Sequence, residues 1–422
     1  MGHVVDADRE YRLLQRQMDR APTGAPASPA LTRILSMLYS SEEAKLAARL
    51  PMRPASLADL ARCCEIPEAE LLDKLTELAV RGLVLDVEVK GQRYFALAAV
   101  LGGIFEFIFM RAREDAPMAE LAVLFDEYMN RDERFARASY QGETQFSRAF
   151  VREEALPTTD HTEILDWERV SYLVETASAL SVGLCPCRHK NEHLGKSCGK
   201  PLRTCVSLNA GAETMIHSGI SERIAAPEAL RIIEECKAAG LAQTGDNVQQ
   251  GVTFICNCCG CCCTLVQAMK TFNLRHVIVS SNWIRDVDTA RCTGCGACVR
   301  SCPVDAIETS NGGRRPTVAT RQEALCLGCG VCQTACTSGA TRMKPRAQRV
   351  FTPENAFDKT VHMAIERGKL AGIVFENPER LSHRALGRIL GILEKTPPWK
   401  AAMAVKPLRS AYLNAFIKKA SR

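Results

Sequence analysis

Cys292-Thr293-Gly294-Cys295-Gly296-Ala297-Cys298-Val299-Arg300-Ser301-Cys302-Pro303 and Cys326-Leu327-Gly328-Cys329-Gly330-Val331-Cys332-Gln333-Thr334-Ala335-Cys336 repeat one spacing, C-x2-C-x2-C-x3-C. Two residues between thiols let a tight loop wrap three of them around one small body. Gly294, Gly296, Gly328 and Gly330 supply the unusual dihedrals that such loops need. The fourth thiol of each run falls three residues on, at a helix start.

Over residues 291–341 the sequence resembles the two-cluster bacterial ferredoxins, and Val304-Asp305-Ala306-Ile307 after the first run fits that family. The resemblance implies an α+β ferredoxin-like domain, expected over 283–345, that binds two [4Fe–4S] clusters and works in one-electron transfer. In that family the fourth cysteine of a run ligates the other cluster. The implied sets are Cys292, Cys295, Cys298 and Cys336 for one cluster, and Cys326, Cys329, Cys332 and Cys302 for the other. There are two departures. Thr337 replaces the usual proline after the second run, and the 23 residues between the runs include the loop Ser310-Asn311-Gly312-Gly313-Arg314-Arg315. Neither removes a ligand. Structural zinc is the alternative for paired C-x2-C elements, but doubled four-cysteine runs of this spacing rarely serve it.

Upstream lies a second cysteine-rich module, expected over 171–275. Cys185, Cys187, Cys198 and Cys205 are spaced C-x-C-x10-C-x6-C, which fits no common zinc or ferredoxin pattern. Farther on, Cys256, Cys258, Cys259, Cys261, Cys262 and Cys263 crowd six thiols into eight residues. A buried apolar strand, 252–255, delivers this run and a helix beginning near Thr264 carries it away. Thiolates at a helix N-terminus are acidic and suit a soft metal. The expectation is a third iron–sulfur centre that uses the first four thiols with members of the second run. Zinc comes next, then a redox-active thiol pair. Adjacent cysteines such as Cys258-Cys259 make poor disulfides. His189 and His193, four apart, would share one helical face as further ligands, although such histidines are more often exposed or capping. Arg188, Lys190 and Lys196 would balance cluster charge. With the ferredoxin run behind it, this module resembles multi-domain iron–sulfur proteins of anaerobic bacteria.

Toward the N-terminus, residues 1–30 end in small residues and prolines (Pro22, Pro26 and Pro29) and are expected to be a flexible linker. Residues 31–98 give a helix over 31–50, a short helix capped by Ser56, and a third helix over 68–81. A two-stranded hairpin turning at Lys90-Gly91 follows. This order resembles a winged helix-turn-helix domain. The third helix sets Glu68, Glu70, Asp73 and Glu77 against Lys74 and Arg81, so it is poorly suited to phosphates. Protein docking is therefore preferred to DNA binding. Cys63 and Cys64 read as core residues. Residues 99–170 read as a helical connector, with 104–110 a core helix or docking face.

At 422 residues, 46% hydrophobic and 24% charged, the chain suits about three folded domains. Its 21 cysteines come with no basic n-region and apolar h-region at the start, so they are expected to serve metals in the cytoplasm. The longest uncharged apolar stretch, 94–105, falls short of the roughly 20 residues that span a bilayer. The net charge of +6 is concentrated in residues 386–422, where eight bases face the single acid Glu394. Trp399, Tyr412 and Phe416 stand among those bases, so this helical tail (356–422) would permit peripheral contact with anionic lipid or an acidic redox partner.

The expected fold is multidomain and mostly α with small β elements. In order, it comprises a winged-helix-like domain, a cysteine-rich α/β module, the dicluster domain and a basic helical tail. The expected function is electron transfer within a larger anaerobic redox system, between partner proteins that the sequence does not name. A redox-sensing transcription regulator is one alternative. The other is an oxidoreductase centred on the central cysteines. No nucleotide-binding glycine fingerprint or Walker motif is present, and no catalytic residue is assigned.

Overall fold

The computed structural model describes residues 8–156, 165–309 and 319–374. The basic tail beyond residue 374 and the loop 310–315 lie outside the described residues. Of those described, residues within 1–105, 132–144 and 360–422 make one compact unit, and those within 106–131 and 145–359 make a second.

The first unit begins with a helix, Arg9–Met18. This corrects the expectation of a flexible N-terminus. Leu14 and Met18 are fully buried, Gln15 Nε2 donates to Ala25 O at 2.6 Å, and Gln17 Nε2 donates to Leu50 O at 2.7 Å. The helix expected over 31–50 is broken in two, Pro29–Leu38 and Ser41–Ala47. Ser40 causes the break: with Glu43 it forms a capping box that starts the second helix. Helices Leu57–Cys64 and Glu68–Val80 follow, the first capped by Ser56. Strand Gln92–Leu97 lies between Val84–Val89 and the two-residue strand Ala55–Ser56. Cys64 is buried and Cys63 half-buried.

The second unit is built on a seven-stranded sheet. Its order is Ile278–Val279, Ser147–Ala149, Ala242–Asp246, Phe254–Cys258, Arg203–Leu208, Leu180–Leu184 and Glu222–Arg223. Only the first pair is parallel. This sheet exceeds the small β elements expected, and it takes strands from both sides of residues 171–275. Ala242–Asp246 is buried at every position, so it has no alternation to betray it. Nor is 99–170 a uniform helical connector: it contains helices Met118–Asp126 and Glu133–Tyr140 but also the strand Ser147–Ala149. Within 104–110, Phe107, Ile108, Phe109 and Met110 are core residues.

Helices Pro186–His193, Asn209–His217, Ala226–Ala238 and Thr264–Thr271 complete this part of the unit. Its core joins Val182, Val206, Ile232 and Ile255 to Cys236, Cys259 and Cys262. The dicluster segment closes on a two-stranded antiparallel sheet in which Trp283 pairs with Pro345 and Val287 with Thr341. A smaller hairpin pairs Ile307–Thr309 with Ala319–Arg321. No helix among the described residues is long and apolar enough to cross a membrane.

Candidate metal centres

Two short helices of the dicluster segment, Ala297–Ser301 and Val331–Thr334, start at Gly296 and Gly330, with φ of 71° and 81°. Cys302, Cys326, Cys329 and Cys332 line one open cavity together with Ile307 and Met343. The last cysteine of the first run thus faces three of the second. On the other side, Cys336 is close enough to Cys295 to oppose its ionisation. The two groups adjoin, because Cys298 and Cys332 pack together against Ile307. Gly328 is required where it stands: its φ is 70°, and a Cβ there would collide with Trp283 O and Ser281 Oγ.

The donors fit a metal cluster. Burial pushes the Cys329 thiol up to about 12 and Cys332 well above its ordinary value. Thiols so held ionise only against a bound cation. The Ala306 amide donates to Cys302 Sγ at 3.3 Å, an N–H···S bond ready for a thiolate. Cys336 is different: burial pushes it up, but donors from Ser338, Thr341 and Ala340 outweigh that and bring it to about 7.

Two buried arginines serve this region, and the sequence did not reveal either. Arg285, 1% exposed, reaches Cys298 Sγ at 3.5 Å and Thr341 Oγ1 at 3.4 Å, and its charge favours ionisation of Cys332. It therefore lies against both thiol groups. Arg152 accompanies Cys329: its amide donates to Cys329 O at 3.1 Å and its Nη1 to Thr334 Oγ1 at 2.6 Å. Arg152 Nη2 donates to Lys237 O and Leu241 O, each at 2.9 Å, at the end of the central helix Ala226–Ala238.

In the central module ten of the eleven cysteines separate into two sets. The Sγ atoms of Cys198, Cys259, Cys261 and Cys262 all lie within 4.8 Å of one another. Cys198 comes from the loop after helix Pro186–His193, and the other three from the turn after strand Phe254–Cys258. Cys259 and Cys262 are buried, Cys198 is half-buried and Cys261 is exposed. The Cys262 thiol and amide bring Cys259 down to about 4.

The remaining six make a string of thiol contacts. Cys205 touches Cys256, and Cys256 touches Cys258. Cys258 lies 3.4 Å from Cys263, and Cys187 touches both Cys263 and Cys185. Strand alternation explains half of this. Cys256 and Cys258 are two apart on one strand and share a face. The register that pairs Val206 with Ile255 continues to set Cys205 opposite Cys256. Helix starts bring the rest, since Cys185 is the N-cap of Pro186–His193 and Cys263 that of Thr264–Thr271. Cys187 Sγ accepts from the Thr264 amide at 3.5 Å.

Arg188 stands between the sets. Its Nη1 donates to Asn257 O at 2.8 Å and its Nη2 to Thr204 Oγ1. Burial works against its charge, but Cys185 and Cys259 outweigh that and hold it above its ordinary value. The other expected partners turn elsewhere. Lys190, 0% exposed, pairs with Asp126 at 2.8 Å, and Lys196 is exposed. The His189 ring bonds Phe109 O through Nδ1 at 2.8 Å and packs against the tilted ring of His193.

The central and dicluster parts meet at a close backbone contact. A Cβ on Gly260 would lie 2.7 Å from Pro303 O, and Lys270 pairs with Asp305 at 2.8 Å beside it. Gly260 lies inside the four-thiol turn, and Pro303 follows Cys302.

Residues 291–340 match the 4Fe-4S dicluster domain family. No curated protein and no solved structure matches the chain. The matched domain and the clustered thiols together mark this chain as an iron–sulfur protein.

Proposed function

We propose that the chain is an electron-transfer protein, a component of a larger cytoplasmic redox system whose substrate chemistry takes place on a partner. Bound [4Fe–4S] clusters supply one-electron chemistry, and the chain's residues set where they sit and at what potential. Cys292, Cys295, Cys298 and Cys336 would hold one cluster, and Cys326, Cys329, Cys332 and Cys302 the other. The observation that carries this reading is the cavity that Cys302 shares with Cys326, Cys329 and Cys332. Arg285 and Arg152 would keep both potentials higher than bare thiolates allow.

The central cysteines give the system a further metal-bearing part, in backbone contact with the dicluster segment through Gly260 and Pro303. The N-terminal unit, winged-helix-like in element order, is read as a docking surface. Its helix Glu68–Val80 carries Glu68 and Glu70 in the first turn, which phosphates would oppose. Anaerobic iron counting with EPR of the reduced protein tests the reading. Eight or more irons per chain and signals from two interacting clusters are expected; four or fewer after full reconstitution would overturn it.

A further inference from the structure

We propose that the ten central cysteines build two metal centres of different kinds: a single tetrahedral ion held by Cys198, Cys259, Cys261 and Cys262, and a polynuclear iron–sulfur centre held among Cys185, Cys187, Cys205, Cys256, Cys258 and Cys263. The inference rests on the reading of the central module as metal-bearing and goes beyond it by dividing the ligands.

Size decides the first centre. Four sulfurs at about 2.3 Å from one ion, at tetrahedral corners, stand about 3.8 Å apart. The four thiols all fall within 4.8 Å, and Cys261 Sγ to Cys262 Sγ is 3.8 Å. A set so compact closes on one ion and has no room for a cubane inside it. Its members come from two chain segments, so one ion would clip the loop after helix Pro186–His193 to the turn after strand Phe254–Cys258. That clip holds Gly260 against Pro303.

The six other thiols are arranged differently. Each touches a neighbour along the string, but among the described residues only the compact four converge within 4.8 Å of one another. Among the described residues the dicluster cysteines likewise do not converge to a point, and four of them line a cavity. Six thiols also exceed what one tetrahedral ion can take. Two helix N-termini, at Cys185 and Cys263, turn toward the string and favour its negative charge. The Thr264 amide already donates to Cys187, and the Thr244 hydroxyl is 3.3 Å from Cys258 Sγ. The Arg188 guanidinium interacts with members of both sets, with Cys185 and Cys258 of the string and with Cys259 of the compact four.

The test uses the full chain, prepared and reconstituted anaerobically, with iron, sulfide and zinc counted per chain. The wild type is expected to hold more than eight irons and one isolated ion. X-ray absorption should give that ion a four-sulfur shell with no metal neighbour, its edge distinguishing zinc from iron. Cys261→Ser should lose that one ion and keep every cluster iron. Cys258→Ser should lose the cluster irons beyond the eight of the dicluster segment and keep the ion. Cys198→Ser and Cys263→Ser repeat the two tests from other segments, and the dicluster EPR signal identifies variants that still fold. Loss of both metals together in folded variants of both kinds would overturn the division. Eight irons and nothing further in the wild type would overturn the proposal while leaving the dicluster reading intact.

Discussion

Gly260 and Pro303 touch so closely that a Cβ added to the glycine would lie 2.7 Å from the proline carbonyl oxygen and 3.1 Å from its Cα. The glycine divides Cys259 from Cys261, and the proline follows Cys302. Two thiol groups that are far apart in sequence are therefore joined through backbone, where neither side can give way as a flexible side chain would.

Gly260→Ala is accordingly expected to cost about 1–3 kcal/mol, the range for overpacking. The nearby ion pair is a useful contrast. Asp305 is 69% exposed and Lys270 27%, so Lys270→Met should cost less than about 1 kcal/mol. Denaturant unfolding of the two anaerobic variants measures both. Equal losses would mean that the close approach is not what joins these parts.

Arg285 offers a second test. It is buried, donates to Cys298 Sγ and favours ionisation of Cys332, so its charge is felt by both cysteine groups. Arg285→Met should shift the reduction potentials of both clusters to more negative values, because a nearby positive charge stabilises the reduced, more anionic state. Stability should fall by about 1.5–3 kcal/mol, as for loss of hydrogen bonds to charged groups. Arg285→Lys should restore only part of the potential, since an ammonium on a shorter stem does not reach the place of the Nη2 that meets both Cys298 and Thr341. Redox titration followed by EPR reads these shifts, and unchanged potentials in Arg285→Met would refute the assignment.

These two residues also mark what the sequence made legible and what it hid. The dicluster motif was readable because each run is local: two residues between thiols fix a loop whatever the rest of the chain does. Arg285 was not readable, since an arginine in Trp283–Val287 looks like any solvated strand position until the chain brings Cys298 against it. The central ten were legible as a crowd of thiols but not as two sets. Strand alternation does place Cys256 with Cys258. That Cys198 joins Cys259, Cys261 and Cys262 depends on where a loop returns, which no local pattern encodes. The helices and hairpin over residues 31–98 were visible because they are amphipathic. The sheet was hidden because strands such as Ala242–Asp246 are buried on both faces, and the N-terminal helix because the residues after it look like a linker.

Cys236 belongs to neither set and should behave as an inert thiol. It is 0% exposed, and burial pushes it up to about 12, with Arg188 opposing the shift only in part. A raised thiol pKa stabilises the fold fully below the ordinary value near 9, and that contribution is lost as pH climbs toward 12. In the metal-loaded protein, iodoacetamide mapped by mass spectrometry should leave Cys236 unmodified at pH 8–9 and modify it only as the fold is lost in stronger alkali. Half-buried Cys63 should react first. Labelling of Cys236 at pH 8 without unfolding would contradict the burial.

The last prediction concerns the helix that carries Cys187 and Arg188. Lys190, on the same helix, is wholly buried against Asp126 at 2.8 Å, and Asp126 also accepts from Arg131 at 3.0 Å. The two halves of this pair are therefore not equivalent. Asp126→Asn strands a buried ammonium and should cost about 3–5 kcal/mol, the usual result of leaving one buried charge alone. Lys190→Met leaves Asp126 with Arg131, which is 67% exposed, and fills the space with an unbranched apolar chain. Its cost should be clearly smaller. Because the pair anchors Pro186–His193, Asp126→Asn should also weaken metal retention by the central thiols while the dicluster EPR signal persists. Unfolding curves and metal counts on the two variants decide the matter, and a reversed order of stability would show that Arg131 does not support the carboxylate.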